Sequence, residues 1–339
     1  MSILKDKNIL LGVTGGIAAY KSITLLRLLV KSGARVQVIF TKSAHDFVTT
    51  LTFSSLSGRP VLTNFFEEES DSKNWNNHID LGEWADFLLI VPATSSTISK
   101  MVSGNANNLL IATYMSTRCE VFFAPAMDLD MYKSPATKKN IETLVKNGNI
   151  LIKPGIGSLA SGMSGEGRVE EPELILDVLK NHIKKNLIFN DKTFLITAGP
   201  TFEMIDPVRF IGNFSSGKMG YELAKEASRL GAKVHLISGP SNEQINDENI
   251  ILKRIISADE MFDECSKVFN DIDIFIMSAA VSDYKPFKKK HNKIKKDKSE
   301  KISLELIKNK DILKSLGSKK TKGQKIIGFS LETENELKN

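Results

Sequence analysis

The feature that most restricts the fold of this chain is a strand, a glycine turn, a helix and a second strand in direct succession. An apolar run at 8–13 leads into Thr14-Gly15-Gly16, a helical pattern covers 17–32, and another apolar run follows at 35–40. Two strands joined by a helical crossover lie parallel in one sheet. This unit predicts an α/β fold, and further strands are expected at 87–91, 121–124 and 149–152.

The second half of the chain repeats this organisation. An apolar run at 193–198 leads into a long turn over 199–220, and a helix is expected at 221–229. A Gly-Ala pair precedes the next strand in both halves, at 33–34 and at 231–232. The two halves therefore read as separate parallel-sheet units rather than as an array of short repeats.

The length of 339 residues is sufficient for two ordinary domains. We predict two doubly wound, Rossmann-like domains at 1–185 and 191–339, with the charged stretch 184–192 as their junction. A later strand of the second domain is expected at 273–277. The glycine-rich segment 154–168 is expected to be a long loop that is either mobile or functional.

Composition argues against several classes of protein. Hydrophobic residues make up 41% of the chain and charged residues 25%, which is typical of a globular protein with a core. No apolar run reaches the roughly 18 to 20 residues of a membrane-spanning helix, and the short apolar stretch at 8–13 is not expected to be part of a signal peptide, so a soluble cytoplasmic protein is expected. The two cysteines are far apart, and the five histidines form no HExxH or HxH pattern, which disfavours a disulfide framework and a zinc enzyme.

The net charge of +6 depends largely on one segment, because 285–301 contains nine lysines. A nucleic-acid-binding protein would carry lysines and arginines spread over one face. A solvated lysine loop, or a loop that holds a polyphosphate, fits the pattern better, so neither nucleic acid nor membrane is expected as a partner.

The glycine turns predict nucleotide-type sites of an uncommon kind. Ligands of open parallel sheets bind at the carboxyl ends of the strands, where both glycine turns lie. Neither turn has the pattern GxGxxG or GxxxxGK[ST], so a pyridine-nucleotide dehydrogenase or a P-loop enzyme is not supported.

Motifs along nearly the whole chain resemble one family. GVTGGIAAYK, NHIDLGEWAD, VPATSSTISKM and PAMDLDMY resemble the flavin-dependent cysteine decarboxylases. ITAGPTFEMIDPVRFIGNFSSGKMG, AAVSDY and KIKK resemble phosphopantothenate–cysteine ligase. The chain is thus identified as similar to the bifunctional phosphopantothenoylcysteine decarboxylase / phosphopantothenate–cysteine ligase family of coenzyme A biosynthesis. The resemblance implies a flavodoxin-like decarboxylase domain at 1–185 followed by a ligase domain at 191–339.

For the first domain, the resemblance implies oxidative decarboxylation of 4′-phosphopantothenoylcysteine to 4′-phosphopantetheine with FMN as cofactor. His78 corresponds to the family's catalytic histidine, although a lone histidine beside an apolar helix start is ordinarily structural. The implied FMN-binding residues are Gly15, Gly16, Ile17, Ala18, Thr41, Thr94 and Ser95. By residue type alone, strand-end turns and helix caps are the favoured interpretation of the last three of these.

Two positions of the decarboxylase motifs depart from the usual family pattern. Asp128 stands where the family has an asparagine that cradles the substrate carboxylate, and Ser161 stands where it has a proton-donating cysteine. Either the decarboxylase half is impaired or this is a variant site. The variant site is favoured because the surrounding glycines and Arg168 are retained. We therefore keep Asp128 and Ser161 as candidate catalytic residues.

For the second domain, the resemblance implies CTP-dependent ligation of 4′-phosphopantothenate with cysteine through an acyl-cytidylate. Asn213 and Lys293 are the implied catalytic residues, and Mg²⁺ is expected to accompany CTP, with no metal ligand assigned. The implied substrate- and nucleotide-binding residues are Ser215, Ser216, Gly217, Ser278, Ala279, Ala280, Asp283, Lys293, Lys310, Asp311, Ile312 and Phe329. A serine-glycine run before a helix is also an ordinary N-cap.

The family also suggests a homo-oligomer, with a trimeric flavin domain and a dimeric ligase domain. Its members continue beyond the segment that contains Glu332 and Thr333, so the chain is expected to lack the family's C-terminal end. Two alternatives stay open from the residues. One is a non-catalytic flavin-binding regulatory protein, and the other is an enzyme with only one of the two activities.

Overall fold

The computed structural model describes residues 2–66, 75–159, 161–295 and 302–331. The chain divides into two compact units, 2–183 and 184–339, which we call the first and the second unit. Glu332 and Thr333 lie outside the described residues. Among the residues described, no helix is both long enough and apolar enough to cross a membrane.

The first unit is built on a parallel sheet of five strands in the order β2-β1-β3-β4-β5. The strands are β1 Asn8–Val13, β2 Arg35–Phe40, β3 Phe87–Ala93, β4 Glu120–Pro125 and β5 Ile150–Leu151. Helices cover both faces, which explains why the central strands are apolar throughout. Leu11 and Leu89 belong to the core on one face, and Leu10 and Leu88 belong to the core on the other.

Within the described residues of this unit, eight α-helices connect and flank these strands. They are α1 Ala19–Lys31, α2 Thr50–Ser57, α3 His78–Trp84, α4 Ser95–Ser103, α5 Leu109–Ser116, α6 Leu129–Lys133, α7 Pro135–Lys146 and α8 Pro172–Lys185. The strand order places β1 between β2 and β3, so the chain leaves β1 in one direction first and returns to its other side later. The carboxyl end of β1 is therefore a topological switch point, where doubly wound folds bind ligands.

The glycine-rich segment 154–168 is not the plain loop that the sequence predicts. It forms an antiparallel hairpin of β6 Gly155–Ser158 and β7 Ser164–Arg168. The hairpin packs closely on the start of α6: a Cβ at Gly167, which has φ of +126°, would lie 2.4 Å from the carbonyl oxygen of Met127. The prediction was wrong because the glycines permit close packing rather than a long loop.

The second unit has its own parallel sheet of five strands in the order β12-β11-β8-β13-β16. Its strands are β8 Thr193–Ala198, β9 Phe202–Met204, β10 Phe210–Gly212, β11 Lys233–Ser238, β12 Ile250–Arg254, β13 Ile274–Met277, β14 Tyr284–Pro286, β15 Leu306–Lys308 and β16 Lys325–Gly328. Its helices are α9 Lys218–Arg229, α10 Ala258–Val268 and α11 Ile312–Gly317. The predicted α/β class with two doubly wound parallel sheets is thus confirmed.

The segment 199–220, predicted as one long turn, is more ordered than expected. It contains the antiparallel hairpin β9–β10, and α9 begins at Lys218 rather than at Tyr221. A second hairpin, β14–β15, brackets the lysine-rich segment. β8 lies between β11 and β13, so its carboxyl end is the switch point of the second sheet.

Helix α9 approaches this switch point so closely that only glycine fits at position 220. A Cβ there would lie 2.5 Å from the Cβ of Ala198 and 2.9 Å from the Ser278 hydroxyl. We expect Gly220→Ala to destabilise the protein by about 1–3 kcal/mol, because overpacking must displace the helix. Thermal unfolding checks this. Gly323→Ala, whose Cβ would meet nothing within 4 Å, is the matched control, and equal midpoints for the two variants would contradict the packing argument.

Candidate active sites

A cavity of about 1580 Å³ opens at the carboxyl ends of β1, β3 and β4 in the first unit. Every residue predicted to bind FMN lines it: Gly15, Gly16, Ile17, Ala18, Thr41, Thr94 and Ser95. Asp128 and Ser161 line it as well. The structure therefore brings these predicted residues together at the switch point of the first sheet.

Buried hydroxyl groups fix the floor of this cavity. The Thr14 hydroxyl donates to the carbonyl oxygen of Pro92 at 2.7 Å, and the Ser22 hydroxyl donates to that of Val91 at 2.6 Å. These bonds join the end of β1 and helix α1 to the end of β3. Thr94 caps α4, since its hydroxyl accepts from the amide of Thr97 at 3.4 Å. Thr94 therefore has the helix-capping role that its residue type also predicted.

The turn that enters α1 presents backbone amides to the cavity. Within the part of the chain that is described, the amide groups of 15–18 donate no hydrogen bond to a protein acceptor. The first amides of a helix lack partners within the helix and carry its positive dipole end. This edge of the cavity therefore has the donors that an anionic group requires.

The two residues that depart from the family pattern contact each other. The Ser161 hydroxyl donates to Oδ1 of Asp128 at 2.6 Å. Asp128 also caps α6, because the same Oδ1 accepts from the amide of Leu129 at 3.1 Å. The sequence analysis treated the two residues as separate departures, whereas the structure makes them one hydrogen-bonded pair.

A buried lysine that the sequence analysis missed joins α1 to the segment after β7. Lys21 is 4% exposed, and its ammonium group donates to the carbonyl oxygen of Val169 at 3.0 Å and to Glu171 at 2.9 Å. Arg168 donates to the same Glu171 oxygen at 2.9 Å. The hydrogen bond from Lys21 is the main cause that holds the pKa of Glu171 below its ordinary value. The sequence signal that could have revealed Lys21 is the presence of a lysine on the apolar side of α1.

His78 lies in a different part of the first unit. It begins α3, and its ring meets those of Phe65 and Trp75 edge-on at 6.0 and 6.4 Å. It lines a recess of about 470 Å³ with Asn64, Phe65, Phe66 and Trp75, and it does not line the large cavity. Its Nδ1 is buried without a hydrogen-bond partner among the described residues.

Neither cysteine takes the place of the missing thiol. Cys119 does not line the cavity, and burial is the main cause that raises its pKa. Cys265 is in the core of the second unit, where burial raises its pKa to about 12. Among the residues described, no group of three or more His, Cys, Asp or Glu side chains could hold a metal ion.

In the second unit, the turns after β8 and β13 are joined. The Ser278 hydroxyl donates to the carbonyl oxygen of Thr197 at 2.6 Å, and the amide of Ala280 donates to that of Gly199 at 2.9 Å. The Asn213 side chain donates to the carbonyl oxygen of Val281 at 3.0 Å. The predicted catalytic asparagine therefore lies directly against the predicted nucleotide-binding segment 278–283.

The segment that leads into α11 is attached at the same place. The amide of Asn309 donates to the carbonyl oxygen of Asp283 at 2.7 Å. Lys310 lies 3.9 Å from the centre of the Phe262 ring, and Asp311 caps α11 by accepting from the amide of Lys314 at 2.8 Å. The Ile312 side chain is 1% exposed and packs in the core. Asp311 and Ile312 therefore have clear structural roles.

The remaining predicted residues lie at the start of α9, in the lysine-rich segment and directly after β16. Gly217, with φ of +82°, precedes α9, and the hydroxyls of Ser215 and Ser216 accept from the amides of Gly217 and Lys218 at 3.3 Å. Lys293 is exposed, and Phe329, which follows β16, is 53% exposed. The N-cap residue of α9 is Gly217, and no side chain caps the helix, so the two serines order the turn before α9 rather than cap it.

Fold and sites together define a flavin-type α/β protein with a second, nucleotide-type α/β unit. Comparison with known families agrees: residues 2–184 match the family described as Flavoprotein, and residues 189–339 match the DNA/pantothenate metabolism flavoprotein C-terminal domain. The chain belongs to the family of bifunctional coenzyme A biosynthesis proteins called CoaBC.

The relatives span nearly the whole chain. The CoaBC protein of Vibrio vulnificus strain YJ016 is 42% identical over 334 residues, which cover 98% of this chain and 82% of that protein. A cysteine/cysteine sulfinic acid decarboxylase from an unknown prokaryotic organism is 44% identical over 296 residues, covering 86% of this chain and 82% of that protein. A solved cysteine-to-serine mutant of PPC decarboxylase, complexed with pantothenoylaminoethenethiol, is 31% identical with a TM-score of 0.46 and covers 52% of this chain and 98% of its own.

The contacts of Lys21 predict that it fixes the base of the β6–β7 hairpin. Lys21→Met should destabilise the protein by about 1–3 kcal/mol, because Glu171 and the Val169 carbonyl group lose a buried partner. It should also accelerate amide hydrogen exchange in 155–169. Lys31→Met, at the exposed end of α1, is the control. If both variants unfold and exchange alike, Lys21 has no such role.

The stabilisation that the contact between Lys21 and Glu171 provides should also depend on pH. The pKa of Glu171 is lower in the folded state than in the unfolded state. The ionised Glu171 therefore stabilises the fold above the ordinary glutamate pKa of about 4.3, and this stabilisation is lost as pH falls through the lowered value. The difference in stability between the original chain and Lys21→Met should therefore shrink below about pH 4.

Proposed function

We propose that this chain carries out two steps of coenzyme A biosynthesis in the cytoplasm. The second unit ligates 4′-phosphopantothenate with cysteine using CTP, and the first unit decarboxylates the resulting 4′-phosphopantothenoylcysteine to 4′-phosphopantetheine. The observation that carries the proposal is that a bifunctional relative matches 98% of the chain. In support, the predicted FMN-binding residues, Asp128 and Ser161 line one cavity of the first unit. A regulatory flavin-binding role is not favoured, because it leaves the ligase unit unexplained.

The first cavity fits FMN. The unpartnered amides at the start of α1 suit its phosphate, and the hydroxyls of Thr41 and Ser95 suit the phosphate or the ribityl chain. When bound, FMN supplies the electron sink that the substrate carboxylate lacks. The chain itself orients the substrate and moves protons.

We assign the proton transfer to the Asp128–Ser161 pair. A serine hydroxyl alone is a much weaker acid than the thiol that the family uses. In its protonated form, Asp128 can donate a proton to the serine oxygen while the serine hydroxyl gives its own proton to the carbon that has lost the carboxylate. The distance of 2.6 Å between the two side chains supports such a relay. The aspartate is then reprotonated from solvent.

Replacement of the pair tests this assignment. Asp128→Asn should lower the decarboxylation rate about 10²- to 10⁴-fold, because it removes the acid and leaves an unassisted serine. Adding Ser161→Cys to Asp128→Asn should restore much of the rate, since it recreates the usual family pair. Product is followed by mass spectrometry, and flavin absorbance confirms equal FMN occupancy. Full activity of Asp128→Asn would exclude the relay.

The position of His78 supports a homo-oligomer. Since His78 does not line the cavity of its own unit, we propose that it serves the FMN cavity of a neighbouring copy, with three copies forming the flavin assembly. Its surroundings suit an interface, because Phe66, Trp75 and Met115 are all more than half exposed. For the ligase unit, we propose a dimer.

Mixing of inactive subunits tests the shared site. His78→Ala and Asp128→Ala should each abolish decarboxylation alone, but chains co-expressed at equal amounts should recover about one quarter of the original activity. Statistically, that fraction of sites in a head-to-tail ring has both residues intact. The control is the chain with both substitutions co-expressed with His78→Ala, in which no site is complete. No recovery in the first mixture would place His78 and Asp128 in a site of a single chain.

For ligation, we propose that Asn213 orients the acyl-cytidylate and that Lys293 binds the triphosphate. The start of α9 and the segment 278–283 border the same region and offer further donors. Mg²⁺ enters with CTP, held by phosphate oxygens, as is usual for this ion.

A further inference from the structure

A fully buried carboxylate of the second unit has no role in the function described so far. Asp206 follows β9 and is 0% exposed. One oxygen accepts from the amides of Val208 and Arg209 at 2.7 and 2.9 Å. The other accepts from the Arg209 guanidinium at 2.9 Å and from the amide of Ile294 at 3.1 Å. Four hydrogen bonds thus satisfy the buried charge.

One of these donors comes from a distant part of the chain. Ile294 is 88 residues from Asp206 and directly follows Lys293. The Arg209 guanidinium also donates to the carbonyl oxygen of Ile294 at 3.4 Å. Both backbone groups of Ile294 are therefore held by the turn between β9 and β10. We call Asp206, Arg209 and Ile294 the Asp206 clasp.

A second contact joins the same two segments. The amide of Lys290 donates to the carbonyl oxygen of Ile205 at 2.9 Å. We call 288–295 the basic segment. It is attached to the β9–β10 turn at both 290 and 294, on either side of His291, Asn292 and Lys293. Since 288–295 is mostly exposed and rich in lysine, its charges repel one another and favour extended conformations. The hydrogen bonds that Asp206 and Arg209 make with the backbone of Ile294 hold the segment against this tendency.

The hairpin that carries the clasp also carries the predicted catalytic asparagine. β10 ends at Gly212, and the next residue, Asn213, donates to the carbonyl oxygen of Val281. One short element therefore contacts both the basic segment and the segment 278–283. Fixing 294 to the β9–β10 turn fixes Lys293 relative to Asn213.

We propose that Asp206 is a positioning residue of the ligase site, which holds Lys293 where it can bind the nucleotide triphosphate. This inference rests on the proposed ligase function. Arg209 is engaged in the clasp through both Asp206 and Ile294, so its part is to complete the clasp. Burial alone would raise the pKa of Asp206, but the amide hydrogen bonds from Val208, Ile294 and Arg209, and the Arg209 charge, together lower it. The Asp206 carboxylate of the clasp therefore stays ionised at neutral pH.

The test uses the full chain with three measurements: the KM for CTP, the turnover of ligation, and amide hydrogen exchange in 287–295 without nucleotide. Asp206→Asn keeps the shape of the side chain but removes its charge. Ile294→Pro removes the donor N–H at a half-buried position outside the buried turn. Asp263→Asn, on the exposed side of α10, controls for net charge.

We expect Asp206→Asn and Ile294→Pro each to raise the KM for CTP about tenfold or more and to accelerate exchange in 287–295, with a smaller change in turnover. In a chain that already carries Lys293→Ala, Asp206→Asn should raise KM little further, because both changes remove the same interaction. A general loss of stability would instead add fully to the effect of Lys293→Ala.

Unchanged KM and exchange in both variants would overturn the proposal, as would full additivity with Lys293→Ala. Absence of ligation by the original chain would overturn the proposed function, and with it any role of the clasp towards CTP. Hydrogen exchange distinguishes these failures: faster exchange in both variants shows that Asp206 orders the basic segment, and unchanged exchange shows that it does not.

Discussion

The parallel sheets, buried on both faces, determine where this chain can place polar chemistry. Because helices cover both sides of β1 and β3, successive leucines of these strands face two different apolar cores. A polar group inside either core would lose its hydration without gaining partners. Polar side chains and free amides therefore collect at the carboxyl ends of the strands, where the connections diverge. Both units follow this constraint, and the predicted site residues other than His78 lie at or border these ends.

The parts of the fold that depend on local pattern could be predicted from the sequence. β2 and β8 occupy the predicted residues, because short apolar runs bounded by glycine turns define buried strands. The hairpin β6–β7 could not be predicted in this way. Its residues are mostly glycine, serine and charged, and it is ordered by packing against 127–129, which lies more than twenty residues earlier.

In the candidate sites, too, the features set by local sequence could be predicted, and those set by contacts between distant residues could not. The turn at 15–18 and the segment 278–283 could be identified from motifs, because their function lies in local backbone geometry. Lys21 could not, since its partners Val169 and Glu171 are about 150 residues away. The pairing of Asp128 with Ser161 and the burial of Asp206 depend in the same way on tertiary contacts. Sequence motifs found the residues, but the contacts between distant residues required the structure.

The first unit presents its positive groups to an anion without leaving a free buried charge. At the start of α1, the donors are neutral amides whose partial charges are fixed by the helix. Lys21 lies nearby, but Glu171 and the Val169 carbonyl group occupy its ammonium group. The geometry of this part of the site is thus set by the backbone.

In the second unit, the positive groups of the basic segment are lysine ammonium groups with full charges on long side chains, rather than backbone amides fixed by a helix. Such a segment has no helix to order it, and its lysines repel one another. A buried carboxylate that holds the backbone at 294 orders the segment without occupying a lysine, since it accepts from an amide and from Arg209. In the proposed ligase site, the Lys293 ammonium group is then available to the phosphates of the nucleotide. A carboxylate that paired directly with Lys293 would order the segment equally well, but it would compete with the nucleotide for the same charge.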